Sequence, residues 1–211
     1  RGTLRINAPM TFGTMHLSQA IAEYQRGQPD VSVDLTLDDR VVDIVSEGYD
    51  IAIRIGRLRE SSLVARKLAP VRLVACASPE YLSERGVPDT PQDLVEHDCL
   101  RYTLSSDADR WEFGKGDETH AVKVGGSFVA NNGDAIRLAA LAGRGLALQP
   151  TFIVGDDIRA RRLELVLQDY EVEPMGVYAV YAHRKYLSGK VRTFVDFLGG
   201  YFGSPPYWEC G

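Results

Sequence analysis

The hydrophobic pattern of the first 56 residues alternates between strand and helix periods, and this alternation constrains the fold more than any other feature. Residues 4–8 and 31–37 carry apolar side chains at alternate positions, as half-buried strands do. Between them lies a stripe at positions i, i+3, i+4 and i+7, formed by Leu17, Ala20, Ile21 and Tyr24. That stripe predicts an amphipathic helix of about four turns, closed by Gly27 and Pro29.

A second helix and a third strand are predicted to follow directly. Asp38 or Asp39 caps this helix, and Gly48 ends it. Its apolar residues are Val41, Val42, Ile44 and Val45. Residues 50–55 form the third predicted strand, so the order is β-α-β-α-β with short connections. Such an order is typical of a parallel sheet covered by helices, and the sequence therefore predicts an α/β fold.

The remainder of the chain predicts a second α/β block, joined to the first without a linker rich in Pro, Gly or Ser. Its expected strands are residues 73–77, 146–148 and 177–182, with short strands and loops over 98–130. Its expected helices begin at Ser78-Pro79, at Thr90 to Asp93, at Asn131 to Gly133, and after Pro150, the last running through Arg161. A final helix is expected from Ser188 to Gly199. The expected core anchors are Trp111 and Phe113, and the expected solvated cations are Arg159, Arg161 and Arg162.

The charge balance argues against direct nucleic-acid binding by this chain. It has 24 Lys and Arg against 29 Asp and Glu, a formal net charge of −5 and a pI near 5.4. Nucleic-acid binders usually carry a basic surface, because phosphate contacts supply much of their affinity. No apolar stretch reaches the roughly 18 residues of a membrane helix, and no signal peptide opens the sequence. We therefore expect this chain alone to bind neither nucleic acid nor a membrane.

The three cysteines, Cys76, Cys99 and Cys210, are widely spaced and include no C-x-x-C pair. This pattern predicts no disulfide framework and no zinc site, and it favours a reducing cytoplasm. The four histidines show no metal-ligand spacing, and no glycine-rich or nucleophile motif is complete. Residues 125–129, for example, lack the last glycine of G-x-S-x-G. The sequence thus predicts no catalytic residue, no metal and no cofactor.

Three strand-to-helix turns carry polar residues where open α/β sheets bind ligands, beyond the carboxyl ends of strands. In the first turn, Thr11 either caps the first helix or offers its hydroxyl to a ligand. The second turn, residues 38–40, either caps a helix beside a solvated arginine or contacts a ligand. In the third, Asn131 and Asn132 can cap a helix and still direct an amide toward a ligand.

Arg54 lies on the face of its predicted strand opposite the isoleucines. A charge near the end of a central strand rarely goes unpaired. Two interpretations remain open at this point. Arg54 binds an anionic ligand, or an internal acid such as Asp50, Asp34 or one from the other lobe neutralises it.

Six ordered strings of residues make the sequence recognisable as a whole. They are residues 42–56 (VDIVSEGYDIAIRIG), 61–68 (SSLVARKL), 77–82 (ASPEYL), 97–100 (HDCL), 143–150 (GRGLALQP) and 191–198 (VRTFVDFL). Together with the opening Gly2-Thr3-Leu4-Arg5-Ile6, this series resembles the effector-binding domain of LysR-type transcriptional regulators over essentially the whole chain. Gln149-Pro150 departs from the Leu-Pro that is more common in that family.

The resemblance implies a fold like that of type 2 periplasmic binding proteins, with two Rossmann-like lobes and two crossovers. Lobe I would hold residues 1–72 and 183–211, and lobe II would hold residues 73–182. It also implies an N-terminal winged helix-turn-helix and a linker helix that this chain lacks, so DNA contact would pass through that missing domain. The chain begins at Arg1 without a methionine, and we expect it to be a fragment. The intact protein would be a cytoplasmic homodimer or homotetramer.

The resemblance further implies that a small effector, polar or anionic, binds between the lobes. The residues expected from lobe I are Met10, Thr11, Phe12, Asp38 and Arg54. Those expected from lobe II are Asn131, Asn132, Gln149 and Phe152. A solute-binding protein of the same fold is the alternative. A small enzyme on an α/β scaffold is a third interpretation, which no nucleophile–base pair in the sequence supports.

Overall fold

The computed structural model describes residues 1–57, 61–105, 108–182 and 187–209, and its contacts divide the chain into two compact units. The first unit consists of Arg1–Val71 and Met175–Tyr207, and the second of Arg72–Pro174 and Trp208–Gly211. Cys210 and residues 183–186, where the predicted lobe I resumes, lie outside the described residues. Within the described ranges, none of the helices combines the length and the hydropathy that a membrane span requires.

Twelve strands and six α-helices occur in the described part of the chain. The strands are β1 (Gly2–Ala8), β2 (Val31–Leu37), β3 (Ile51–Gly56), β4 (Leu63–Val71), β5 (Leu73–Ala77), β6 (Cys99–Tyr102), β7 (Arg110–Lys115), β8 (Glu118–Lys123), β9 (Val129–Ala130), β10 (Leu146–Pro150), β11 (Glu164–Val166) and β12 (Met175–Ala182). The helices are α1 (Met10–Phe12), α2 (Ser18–Gly27), α3 (Pro79–Arg85), α4 (Gly133–Leu141), α5 (Thr151–Arg159) and α6 (Gly189–Tyr201). A π-helical segment spans Gly13–Leu17, and short 3-10 helices span Pro91–Glu96 and Tyr207–Glu209.

The sheet of the first unit has the strand order β2-β1-β3-β12-β4. β1 is parallel to both β2 and β3, which confirms the parallel start predicted from the sequence. β12 is antiparallel to β3 and to β4, so the chain returns from the second unit to complete this sheet. The predicted lobe II, residues 73–182, includes this strand instead. The difference arises because an alternating pattern reveals a strand but does not reveal its neighbours.

The helical stripe after β1 is confirmed, although it includes an irregular turn. α1, the π-helical segment and α2 form one helical run over residues 10–27. The buried residues of this run include Leu17, Ala20, Ile21 and Tyr24. The Tyr24 ring meets Phe194 of α6 edge-on, with 5.0 Å between ring centroids. α2 and α6 therefore pack against each other, and α6 continues through Gly199 to Tyr201 rather than ending at that glycine.

The second predicted helix does not form. Residues 38–50 adopt turns, bends and irregular chain in the structure. Val42 and Ile44 are buried and anchor this segment. Asp43 closes a turn between them and β3, accepting hydrogen bonds from the N–H groups two and three residues later at 3.0 and 3.2 Å. β-Branched residues are weak helix formers, and the carbonyl oxygen of Val42 is bound by Arg54 instead of by a helical N–H group. The prediction of a helix here was wrong.

The sheet of the second unit has the order β11-β5-β10-β6-β9, and β7 and β8 form a separate hairpin. β6 is parallel to β10 and β9, whereas β5 is antiparallel to β10 and β11. Trp111 and Phe113 of β7 are buried, which confirms them as core anchors. Asp93 accepts the N–H of Thr90 at 2.8 Å, as predicted, although the helix that starts there is a short 3-10 helix. α5 ends at Arg159, two residues before the expected end.

Cys76 and Cys99 are buried on β5 and β6, and burial raises the pKa of each thiol to about 12. Because the thiolate is the reactive form, roughly one thiol in ten thousand is ionised at about pH 8. We expect neither cysteine to react with dithionitrobenzoate in the folded protein. The measurement is a thiol titration of a Cys210→Ser variant before and after unfolding in guanidinium chloride. Rapid stoichiometric reaction of the native variant would contradict this prediction.

Candidate functional site

The first strand-to-helix turn is closed by a carboxylate from the neighbouring turn. β1 ends at Ala8, Pro9 occupies the N-cap position, and the helix begins at Met10. The backbone N–H of Met10 donates to Oδ1 of Asp39 at 2.8 Å. Thr11 therefore lies inside the first turn, where it is buried, and the interpretation that it caps the helix is wrong. The Met10 side chain beside it is 46% exposed.

Phe12 belongs to the same turn, but its ring faces the core of the first unit. The residue is fully buried. Its ring centroid lies 5.5 Å from that of His16 and 5.6 Å from that of Phe202. The structure thus shows a packing role for Phe12, and contact with a ligand stays a prediction.

Asp38 belongs to the second turn and is bound there by Arg40. The Arg40 side chain donates to the carboxylate, with 2.6 Å between Nη2 and Oδ2, and the Arg40 N–H donates at 2.9 Å. These hydrogen bonds from Arg40 lower the pKa of Asp38 below its ordinary value. The Asp38 N–H in turn donates to the carbonyl of Ala8 at 2.9 Å. The second turn is therefore held against the end of β1, and Asp38 caps no helix.

Arg54 is half-buried near the end of β3, between β1 and β12 in the sheet. Its Nη2 donates to the carbonyl oxygen of Val42 at 2.6 Å, and burial lowers the pKa of the guanidinium below its ordinary value. The acids suggested as partners bind other cations. Asp50 pairs with Lys190 at 2.8 Å, and Asp34 lies 3.5 Å from Arg5. The prediction that Asp50 or Asp34 neutralises Arg54 was wrong.

In the second unit, two adjacent asparagines follow β9 and precede α4. Asn132 is the N-cap, and its Oδ1 accepts the N–H of Ala135 at 3.0 Å, which confirms the predicted cap. Asn131, one residue earlier, is exposed. Because the carboxyl ends of β6, β9 and β10 lie at one edge of the sheet, this turn stands where such sheets bind ligands.

Gln149 is the next-to-last residue of β10, at the same edge, and is only 3% exposed. Its Nε2 donates to the carbonyl of Leu148 at 3.2 Å, whereas its Oε1 finds no hydrogen-bond donor among the described residues. A Cβ built on Gly133, the first residue of α4, would lie 3.2 Å from that oxygen. A buried acceptor of this kind is costly unless a partner reaches it. Gln149 thus places an unused acceptor beside the start of α4.

Glu209, a residue near the end of the chain that was not predicted to be functional, binds the start of α5. The Thr151 hydroxyl donates to one carboxylate oxygen of Glu209, and Nε of Arg72 donates to the other at 3.1 Å. The next residue, Phe152, is buried and meets Trp208 edge-on, with 6.2 Å between ring centroids. Thr151 and Glu209 are 58 residues apart, so no local pattern could have indicated this contact.

Each unit thus gathers some of its own predicted residues at strand ends. In the first unit, the turns that carry Met10 and Asp38 are joined through Asp39 and Ala8. In the second, Gln149 approaches the helix that Asn132 caps. Amides, a hydroxyl and a guanidinium suit hydrogen bonding to a polar or anionic molecule. Among the described residues, no group of three or more His, Cys, Asp or Glu side chains is placed to hold a metal ion.

Sequence comparison gives a consistent result over nearly the whole chain. The family model of the LysR substrate binding domain matches residues 1–203. The HTH-type transcriptional regulator PtxR of Pseudomonas aeruginosa is 35% identical over 208 residues, which cover 98% of this chain and 66% of that protein. The chain spans about two thirds of the length of the curated relatives it matches.

Structural comparison agrees with the sequence comparison. The regulatory domain of CrgA, a LysR-type transcriptional regulator from Neisseria meningitidis, matches with a TM-score of 0.84 and 28% identity, covering 94% of this chain and 98% of that chain. The full-length Vibrio cholerae virulence activator AphB matches with a TM-score of 0.83 and 28% identity, covering 95% of this chain and 68% of that chain. These matches confirm the predicted fold class.

Proposed function

The chain belongs to the LysR substrate-binding-domain family, and from this membership we propose that it is the effector-sensing domain of a bacterial transcriptional regulator. In this proposal it binds a small polar or anionic molecule, and binding alters how a winged-helix domain of the intact protein contacts DNA. The observation that carries the proposal is the family match over residues 1–203. Relatives such as PtxR are named as transcriptional regulators, which favours neither the solute-binding alternative nor an enzyme.

The proposed ligand site takes residues from both units. From the first unit they are Met10, Thr11, Phe12, Asp38 and Arg54, and from the second Asn131, Asn132, Gln149 and Phe152. Two observations support a polar or anionic ligand. The half-buried guanidinium of Arg54 bonds to the Val42 carbonyl rather than to Asp34 or Asp50, with Glu47 as the acid whose charge acts on it, and a guanidinium group suits a carboxylate or phosphate. The buried Oε1 of Gln149 suits a ligand that also carries a hydrogen-bond donor.

Regulation would follow from a difference in ligand affinity between two arrangements of the units. A ligand that binds one arrangement more tightly shifts the population toward it. In a homodimer or homotetramer, which we propose for the intact protein, that shift would change the spacing of the DNA-binding domains. We place this regulator in the cytoplasm, where DNA is accessible, with no cofactor and no membrane partner.

Thr11→Val and Asn132→Ser are each expected to weaken effector binding about tenfold or more. The first removes a hydroxyl group and the second removes a side-chain amide, and both leave a small side chain in place. A thermal-shift screen of small carboxylic acids and aromatic acids first identifies a ligand, since a saturating ligand raises the unfolding temperature by mass action. Calorimetric titration of that ligand then measures the two variants. Serine retains the capping oxygen at position 132, so helix α4 keeps its N-cap.

Thr119→Val serves as the matched control, because Thr119 is exposed on the separate β7–β8 hairpin. We expect this variant to bind the effector as the unmodified chain does. Unchanged affinity in both Thr11→Val and Asn132→Ser would show that the proposed site is wrong. A screen in which no acid shifts the unfolding temperature would contradict the proposed ligand class.

A further inference from the structure

A groove on the first unit, lined by none of the residues proposed for the effector, has the size of a small-molecule site. It lies between α2 and α6 and has a volume of about 760 Å³. Small-molecule sites in proteins typically enclose roughly 300–1,000 Å³. The residues that line this α2–α6 groove are Gln19, Glu23, Phe197, Gly200, Tyr201 and Tyr207.

The α2–α6 groove arises from the way the two helices pack. Tyr24 of α2 meets Phe197 of α6, with ring centroids 5.5 Å apart, and this contact joins the two helices. Glu23, the preceding residue, is exposed on the solvent side. Phe197 also packs against Tyr201, with ring centroids 5.3 Å apart. At Gly200 a Cβ would meet no atom within 4 Å, so the groove is open there.

The charge of the α2–α6 groove comes from Glu23. Burial raises the pKa of Tyr201 above its ordinary value, and the nearby Glu23 carboxylate raises it further. Burial also raises the pKa of Tyr207 to about 12, and the Tyr207 hydroxyl lies 2.7 Å from Nδ1 of His16. Both phenols are therefore neutral at neutral pH, and Glu23 carries the one formal charge among the six lining residues.

We propose that the α2–α6 groove is a second small-molecule site, which binds an organic cation of the alkylammonium class. The Glu23 carboxylate attracts the cation. The rings of Phe197, Tyr201 and Tyr207 stabilise a methylated ammonium group, because aromatic faces are negative and proteins recognise quaternary ammonium ions with them. The Glu23 carboxylate repels an anion. A neutral molecule has neither the attraction to this carboxylate nor the cation–π contact with the rings. The chemistry of this groove therefore differs from that of the effector site, which suits an anion.

The test compares choline with its uncharged carbon analogue 3,3-dimethylbutan-1-ol, called dimethylbutanol below, which has nearly the same shape. Calorimetric titration of this chain at constant ionic strength is expected to show one choline site with a Kd of about 1 mM. Binding of dimethylbutanol is expected to be about tenfold weaker, because the cation–π and carboxylate interactions are lost. Glu23→Gln keeps the size of the side chain and removes its charge. It is expected to weaken choline binding about threefold, because only the interaction with the exposed carboxylate is lost, and to leave dimethylbutanol binding unchanged.

Asp34→Asn is the matched control, because it removes one acidic charge from the same unit at a residue outside the groove. Choline affinity is expected to be unchanged in this variant. Phe197→Leu removes one ring and is expected to weaken choline binding about threefold or more. Equal affinity for choline and dimethylbutanol, unchanged choline affinity in Glu23→Gln, or no choline binding up to about 50 mM would each overturn the proposal. Dimerisation that depends on Glu23 would assign the groove to a second copy and would overturn it too.

Discussion

Replacement of Asp157 by alanine is expected to lower the free energy of unfolding by about 3–5 kcal/mol. Asp157 is fully buried in α5, and its carboxylate accepts hydrogen bonds from Nε of Arg137 at 2.5 Å and from Nε of Arg162 at 2.8 Å. Removal of the carboxylate leaves both guanidinium groups without their shared buried partner. The cost falls mainly on Arg137, which is the more enclosed of the two and keeps only the partly exposed Asp134 as a partner.

Asp156→Ala is the matched control, since the neighbouring aspartate pairs with Arg159 at the surface. Their side chains are 73% and 39% exposed, and exposed ion pairs contribute at most about 1 kcal/mol. Urea unfolding followed by circular dichroism measures both variants. If the midpoint of Asp157→Ala lay close to that of Asp156→Ala, the buried carboxylate would not stabilise the second unit as inferred.

Asp157, Arg137, Arg162 and Asp134 form an ion-pair cluster, the Asp157 cluster, which joins two helices that begin near proposed effector-binding residues. Arg137 belongs to α4 and bonds both to Asp157 of α5 and to Asp134, at 2.8 Å, in the first turn of its own helix. The cluster therefore ties together the two helices that begin beside Asn132 and Gln149. Arg137 lies in the middle of α4 and Asp157 in the last turn of α5, so their ion pair fixes the packing of the two helices at a distance from their starts.

The elements that the sequence predicted correctly are those with a local cause. Residues 31–37 alternate along an edge strand, and residues 17–24 repeat at the helical period because one face packs on α6. The caps at Ser78 and Asn132 also depend on bonds within three residues, at 3.2 and 3.0 Å. Hydrophobic period and capping chemistry are properties of a short segment, so the sequence alone carries them.

The elements that the sequence predicted wrongly depend on residues far away in the chain. In the segment 41–45 only Val42 and Ile44 are buried, and the Val42 carbonyl bonds to Arg54 rather than to a helical N–H group. Arg162 is exposed, as predicted, but its bond to buried Asp157 could not be predicted from the sequence. Asp39 bonds to Met10, which lies 29 residues away in the sequence, and Glu209 bonds to Thr151, which lies 58 residues away. Such contacts leave no periodic signal.

Phe12→Ala is expected to lower the free energy of unfolding by about 3–5 kcal/mol in the absence of any ligand. The ring is fully buried, and its centroid lies 5.5 Å from that of His16 and 5.6 Å from that of Phe202. Truncation leaves a cavity that these aromatic neighbours cannot fill by small movements, so the lost burial is only partly recovered. Urea unfolding of the ligand-free chain measures the loss.

Met10→Ala separates packing from ligand contact in the same turn. Met10 is 46% exposed, so its truncation is expected to cost less than about 1 kcal/mol. Phe12→Leu, which refills most of the cavity, is expected to recover most of the stability lost in Phe12→Ala. If Phe12 acts only through the core, Phe12→Leu also binds the effector as the unmodified chain does. Near-native stability combined with lost effector affinity in Phe12→Leu would instead show that the ring contacts the ligand.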